Sequence, residues 1–369
     1  MMDEIILTVA VLGGINAVLS VILVIAERFF ANYGECTITI NQDKTLKVTG
    51  GSSLLSALNS QKIFLPSACG GRGTCAYCKC KITEGAGTVL PTESALLSQQ
   101  ELQDHVRLAC QVKVKSDLSI QISEALFQIK EFEAEVVLLK DLTYDIKLLR
   151  LHLLRPEEIH FTPGQYIQLQ NKPYPKVREI VSRAYSIASP NDETKNIDLM
   201  IRLVPEGICT TWVHHHLQEG ERVIFTGPMG NFYLREGTGE IIMVAGGSGM
   251  APMVSLLSEL ARIKSQRKIT YFFGAVSKKD LFYVEEMNRF EKEIPHFTFV
   301  PALSQPDPDD VWDGERGLIT TPLDAYLKKM DTPKAQGYLC GSPGMLNACI
   351  KTMNNNGITS DRIFYDPFA

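Results

Sequence analysis

Four cysteines in this 369-residue chain have the spacing of a metal-ligand set. Cys69, Cys75 and Cys78 run as C-x5-C-x2-C, and Cys110 follows after 31 intervening residues. Four thiolates can hold two irons bridged by two sulfides, which makes a one-electron carrier. Gly70, Gly71 and Gly73 lie inside the loop, where the backbone must wrap tightly and aim its N–H groups at sulfur. The rival chemistry is a structural zinc site, since Cys75-Ala-Tyr-Cys78 is a C-x2-C pair. No second such pair exists, and no histidine lies in the loop to make a Rieske-type centre. The pattern therefore points to a 2Fe–2S cluster. Cys80, close to ligand Cys78, reads as a packing residue.

A second set of residues suits a flavin. In Arg183-Ala-Tyr-Ser186 an arginine can neutralise a pyrophosphate, Tyr185 can stack on the ring, and Ser186 can hydrogen-bond near the reactive nitrogen. Pro163-Gly-Gln-Tyr166 precedes this motif and Gly207-Ile-Cys-Thr-Thr211 follows it. The latter enters a helix-like stretch, where Gly207, Thr210 and the first N–H groups can hold phosphate. Each motif alone also reads as an ordinary turn or strand; their order favours the flavin.

A third set suits a nicotinamide nucleotide. Gly246, Gly247 and Gly249 of G-G-S-G follow a strand and open a helix, so the backbone can approach a pyrophosphate. Cys340-Gly-Ser-Pro343 ends a later strand of the same sheet, which brings Cys340 toward the nicotinamide; its plain alternative is a small buried residue. Ser277, Lys278 and Lys279 could meet a 2′-phosphate, but Asp280 opposes that, and the lysines read as a solvated turn. His214, His215 and His216 are adjacent on a helix, point apart and do not converge on an ion. Trp212 reads as core.

The elements that must position these residues follow from periodicity. Residues Ile5 to Ala26 carry no charged side chain and would span about 33 Å as a helix, enough for a bilayer core. Acidic Asp3 and Glu4 before the run, and no small-residue cleavage site after it, favour an anchor over a signal peptide. Arg28 on the far flank favours a cytoplasmic body. Asn16 beside Gly13 and Gly14 is either a packing face for another membrane helix or a tolerated polar residue. A hairpin, Cys36 to Ile40 and Thr45 to Thr49, precedes a helix Ser53 to Asn59 capped by Ser52. Strands at Lys79 to Thr83, Leu108 to Lys113 and Leu118 to Ile122 complete a ferredoxin-like β-grasp pattern. Alternating segments between Glu133 and Leu203 suit an antiparallel barrel. From Glu240, strands alternate with helices, which predicts a parallel α/β sheet.

The expected fold is multidomain α+β and α/β. It comprises a transmembrane anchor (1–30), a β-grasp 2Fe–2S domain (34–126), an antiparallel β-barrel flavin domain (127–236) and a parallel α/β nucleotide domain (237–369). A net charge of −5 argues against nucleic acid as a partner. Nine cysteines, four of them in the tight pattern, argue for metal binding rather than a disulfide framework.

The order of cysteine loop, R-A-Y-S, G-G-S-G-M-A-P and C-G-S-P resembles the ferredoxin–NADP reductase superfamily with a fused 2Fe–2S domain. More closely, the chain resembles the F subunit of sodium-translocating NADH:quinone oxidoreductases. That likeness includes L-P-T-E at Leu90 to Glu93, F-Y-V-E-E at Phe282 to Glu286 and A-L-S-Q-P-D-P-D-D-V-W at Ala302 to Trp312. The resemblance implies hydride transfer from NADH to FAD and single electrons to the cluster, in the cytoplasmic membrane beside other subunits, with quinone as indirect acceptor. It implies Arg183, Tyr185, Ser186, Gly207 and Thr210 for FAD, and Gly246, Gly247, Gly249 and Cys340 for the nucleotide. Ser186 and Cys340 would line the hydride path, and Phe368 would cover the flavin ring. The stretch between Gln170 and Arg183 is shorter than the family pattern implies. The alternatives are the reductase component of an oxygenase and a membrane redox sensor that does not turn over.

Overall fold

A computed structural model describes residues 11–22, 33–67, 69–308, 311–331 and 333–367. Its contacts divide into two compact units, residues 1–65 with 71–128, and residues 66–70 with 129–369.

In the first unit, residues 11–22 form helix α1. Val11, Leu12, Ile15, Val18, Leu19, Val21 and Ile22 are each more than half exposed, so about half of the helix circumference is exposed and apolar, with Gly13, Asn16, Ala17 and Ser20 on the other side. Twelve residues span about 18 Å, and no helix among the described residues is long and apolar enough to cross a membrane. The remainder of the expected anchor lies outside the described residues.

A mixed sheet follows. Strands β1 (Glu35–Ile40) and β2 (Lys44–Thr49) form the expected hairpin. Helix α2 (Leu54–Ser60) buries Leu54, Leu55 and Leu58, each such leucine contributing about 1.5–3 kcal/mol. Its cap is Ser53 rather than the expected Ser52. Ser53 has extended backbone and its hydroxyl accepts from the Ser56 N–H. After the cysteine loop come β3 (Lys79–Glu84), the short helices α3 (Pro91–Ser94) and α4 (Gln99–Gln103), β4 (Val106–Leu108) and β5 (Leu118–Gln121). The order is β2-β1-β5-β3-β4, with β1 and β5 parallel. The strand expected over Leu108 to Lys113 ends at Leu108. Gln111 and Val112 N–H groups both bond back to the Leu108 carbonyl, so Cys110 sits in a turn.

The second unit begins with six antiparallel strands: β6 (Lys130–Asp141), β7 (Ile146–Arg155), β8 (Tyr166–Gln170), β9 (Ser182–Ser186), β10 (Asn196–Arg202) and β11 (Arg222–Met229). Their order is β10-β7-β6-β11-β8-β9, and an Ile187–Leu199 bridge joins the two edges into a barrel. Alternate residues point inward: Phe132, Ala134 and Val136, then Leu149, Leu151 and Leu153, packed with Trp212 of helix α5 (Ile208–His215). Phe132 stacks on its register partner Phe225 at 5.0 Å.

Strands β12 (Ile241–Gly246), β13 (Ile269–Ala275), β14 (Phe297–Leu303), β15 (Glu315–Arg316), β16 (Gln336–Gly341) and β17 (Ile363–Pro367) form a parallel sheet ordered β15-β14-β13-β12-β16-β17. Both faces are covered, which is why β12 is apolar throughout. Ile241, Met243 and Ala245 pack toward helices α6 (Met250–Arg262) and α7 (Val284–Glu293). Ile242 and Val244 pack toward α8 (Thr320–Leu327) and α9 (Pro343–Asn355). Barrel residues Ile146, Leu148 and Met200 belong to the α6-side core, and buried Ser255 of α6 donates to the Ser189 carbonyl at 3.0 Å. Shared core is why barrel and sheet form one unit.

Candidate functional site

The cysteine loop adopts the tight wrap that its glycines allow: Gly70, Gly71 and Gly73 have φ of 65°, 88° and 74°. All nine cysteines are free thiols. Cys69 and Cys78 are buried, and Cys75 and Cys110 are half-buried. Cys110 raises the Cys78 pKa through a hydrogen bond between the two thiols, with burial and Cys75 adding to the effect. Two of the expected ligands, Cys75 and Cys110, thus act on a third, Cys78. Among the described residues, no three His, Cys, Asp or Glu side chains converge as ligands of a single metal ion. The donor set fits a two-iron cluster, which asks two thiolates of each iron. Cys80 is a buried core residue, its thiol pushed up to about 12 by burial.

The turn that holds Cys110 is anchored by a buried ion pair. Arg107 donates from Nε to Glu93 Oε1 at 2.9 Å and from Nη2 to Oε2 at 2.6 Å. Its remaining N–H groups meet the carbonyls of Ala86, Gly87 and Thr88. Glu93 also accepts from the Leu90 and Leu108 N–H groups at 3.1 Å. Burial raises the Glu93 pKa, but Arg107 and the two backbone donors more than offset it, leaving the carboxyl below its ordinary value. The Ala109 N–H then bonds the Cys78 carbonyl at 2.9 Å, tying this turn to the cysteine loop.

In the second unit, Arg183, Tyr185 and Ser186 lie on β9. Arg183 is half-buried, with Nη1 donating to the Ser182 carbonyl. The Tyr185 hydroxyl is buried beside the Cys209 thiol. Burial, and then the Cys209 thiol, pushes its pKa well up. Tyr185 packs against the barrel core, while Arg183 on the same strand carries the charge that a pyrophosphate asks for. Gly207 caps α5, and the Thr210 hydroxyl is engaged locally, donating to the Gly207 carbonyl and accepting from the Val204 N–H. Thr210 therefore shapes the turn, and the first-turn N–H groups have no intrahelical partner.

Ser186 reaches the nucleotide sheet. Its Oγ donates to Asp366 Oδ2 at 3.4 Å, and Asp366 on β17 is the register partner of Cys340 on β16. All three are buried. Burial and the neighbouring Asp366 carboxylate raise the Cys340 pKa, so the thiol stays protonated. Asp366 escaped the sequence analysis: its partner is 180 residues away, and an aspartate near the C-terminus carries no spacing signal. Phe368 lies outside the described residues.

Gly246, Gly247 and Gly249 form the turn between β12 and α6. A Cβ at Gly249 would stand 2.4 Å from the Cys340 carbonyl oxygen, so only glycine lets this turn close on β16. Beside it, a cavity of about 240 Å³ opens at the carboxyl ends of the parallel strands. Its lining includes Gly246, Gly247, Arg202, Asp280 and Ser342. Asp280 accepts from the Ser277 N–H and hydroxyl through Oδ2 and from the Tyr144 hydroxyl through Oδ1. Lys279 pairs with Asp307 at 3.2 Å. The cleft thus presents the held carboxylate of Asp280 together with the Arg202 guanidinium. His214 bonds the Ile201 carbonyl and meets the His215 ring at a tilt, while His216 stacks on Tyr174.

Three family models match this chain. They are a 2Fe-2S iron-sulfur cluster binding domain over residues 38–115, an oxidoreductase FAD-binding domain over 133–233 and an oxidoreductase NAD-binding domain over 243–351. Among solved structures, the cytochrome P450 reductase GcoB of Amycolatopsis is 28% identical, with a TM-score of 0.72, over 90% of this chain and 98% of its own. The ferredoxin reductase of a carbazole 1,9a-dioxygenase is 26% identical, with a TM-score of 0.70, over 91% and 98%. Fold and domain content define a reductase that uses FAD, a 2Fe–2S cluster and NADH. The F subunit of the Na+-translocating NADH-quinone reductase of Neisseria gonorrhoeae is 35% identical over 404 aligned positions, covering 99% of this chain and 100% of the relative. Its counterpart in Histophilus somni is 36% identical with the same coverage. The chain belongs to this family, the F subunits of Na+-translocating NADH-quinone reductases.

Proposed function

We propose that this chain is the NADH-oxidising subunit of a Na+-translocating quinone reductase, tethered to the cytoplasmic membrane by a single N-terminal helix with its body on the cytoplasmic side. The partners are NADH and the other membrane subunits, with quinone as the indirect acceptor. FAD converts a two-electron hydride into single electrons, and the 2Fe–2S cluster carries them one at a time. Cys69, Cys75, Cys78 and Cys110 hold the cluster. Arg183 neutralises the FAD pyrophosphate, assisted by the start of α5 at Gly207 and Thr210, while Tyr185 lies against the flavin. Gly246, Gly247 and Gly249 bring backbone N–H groups to the nucleotide pyrophosphate. Phe368 covers the flavin ring until nicotinamide displaces it. The boundaries are 1–30 for the anchor, 34–126 for the cluster domain, 127–236 for the FAD barrel and 237–369 for the nucleotide domain.

The observation that carries this reading is the meeting of Ser186 with Asp366 opposite Cys340. It joins the flavin strand to the carboxyl ends of the nucleotide strands, where the two rings have to approach for hydride to pass. The buried hydroxyl, carboxylate and neutral thiol orient the reacting partners and exclude water. The exposed apolar side chains of α1 support the tether, since such a surface requires a non-aqueous neighbour.

The test is anaerobic addition of NADH to the detergent-purified full chain, followed by flavin absorbance and cluster EPR. The expected result is bleaching of the flavin, then a reduced-cluster signal. Flavin and cluster that are both bound yet stay oxidised would leave the membrane redox sensor in its place.

A further inference from the structure

We propose that Gln111, held in place by Thr92, sets the reduction potential of the 2Fe–2S cluster by donating a hydrogen bond to the ligand sulfur of Cys110. The inference rests on the reading that Cys110 is a cluster ligand. Gln111 Nε2 lies 3.5 Å from Cys110 Sγ, within hydrogen-bond reach for sulfur. Its Oε1 accepts from Thr92 Oγ1 at 3.0 Å, which turns the amide nitrogen toward the sulfur. The cysteine loop leaves room for this carboxamide. A Cβ at Gly73 would stand 2.5 Å from Gln111 Nε2 and 2.8 Å from Cδ. Three separate features therefore converge on one amide: a sulfur acceptor, a threonine that orients it, and a glycine that makes way for it.

The consequence follows from charge. An added electron makes the cluster and its thiolates more negative. A donor aimed at one of those sulfurs stabilises the reduced form more than the oxidised form and raises the potential. Thr92 acts only through Gln111 and is a positioning residue. The arrangement also accounts for two polar members of L-P-T-E: Thr92 orients the amide beside Cys110, and Glu93 holds Arg107 three residues before it.

The test is a mediated redox titration of the full chain in detergent. The cluster is followed by EPR and the flavin by absorbance, in wild type, Gln111→Leu and Thr92→Val. At the poise where the wild-type cluster is half reduced, the reduced-to-oxidised ratio is expected to fall about three- to tenfold in Gln111→Leu. Thr92→Val should move it the same way by less, with the flavin midpoint unchanged in both. A cluster midpoint equal to wild type in either loaded variant overturns the proposal, as does an equal displacement of cluster and flavin. If Gln111→Leu fails to load iron, Thr92→Val decides alone, because Thr92 is exposed and acts from the far side of the amide. Wild-type protein without a 2Fe–2S signal would instead overturn the cluster assignment, a different and distinguishable failure.

Discussion

Arg107→Met tests whether the Glu93–Arg107 pair positions the fourth cysteine. Methionine keeps much of the arginine stem but removes both bonds to the carboxylate and the contacts to the Ala86, Gly87 and Thr88 carbonyls. Glu93 is fully buried, so the change strands a charge away from water. Removing one member of a buried pair costs about 3–5 kcal/mol. The Leu90 and Leu108 N–H groups still reach Glu93, which favours the lower end of that range. A loss of about 3 kcal/mol displaces the folding equilibrium of this unit by roughly two orders of magnitude. The assay is loss of the cluster absorbance across a urea series on the full chain, with flavin release as the internal control. The cluster midpoint should fall while the flavin midpoint holds. The double variant Glu93→Gln with Arg107→Met should recover part of the loss, because no charge is left stranded. The pH dependence adds a signed check. The folded pKa of Glu93 lies below the ordinary 4.5, so the pair contributes fully above that value and is lost as pH falls through the folded pKa. Glu93→Gln should remove that acid-side decline. A wild-type urea midpoint in Arg107→Met would refute the reasoning.

Four further variants probe the site. Cys75→Ser should abolish the cluster EPR signal and electron delivery to a quinone analogue while NADH still bleaches the flavin; loss of both would mean the loop does not lie downstream of the flavin. Ser186→Ala should slow flavin reduction in stopped-flow by about 10²-fold with FAD content intact. Asp366→Asn keeps an acceptor for the Ser186 hydroxyl and should lose less, so equal losses would break the link drawn from the 3.4 Å contact. Asp280→Asn should narrow the preference for NADH over NADPH by about tenfold, read as the ratio of the two kcat/KM values. An unchanged ratio would remove that carboxylate from coenzyme selection.

Residues whose role is local were legible before any coordinates. The apolar alternation of β6 and β7, the continuous apolar run of β12, the leucine face of α2 and the glycine turn after β12 each depend on neighbours a few positions away. The errors arose where a bond to a distant element decided the matter. A strand through Cys110 reads well on apolar content, yet the Leu108 carbonyl captures two N–H groups and makes a turn. Helix α8 has a weak apolar pattern of its own, and its buried Leu323 and Leu327 make sense only against the far face of the parallel sheet. Asp366 is the functional counterpart, recognisable once β17 lies beside β16.

The stretches that no flavin or nucleotide chemistry demands have structural causes of the same long-range kind. In L-P-T-E, Thr92 and Glu93 reach across to the turn around Cys110. In F-Y-V-E-E, Phe282 packs edge-on against Phe273 in the sheet core, and Glu285 and Glu286 sit in the first turn of α7, where the helix dipole favours them. In the segment that ends at Trp312, Ser304 bonds the Ala275 carbonyl at the cleft and the indole N–H bonds the Glu315 carbonyl, closing the loop that leads into β15. These residues fix the turns from which the cofactor-facing residues project, so substitutions in them should alter potentials and affinities before they alter which cofactors are bound.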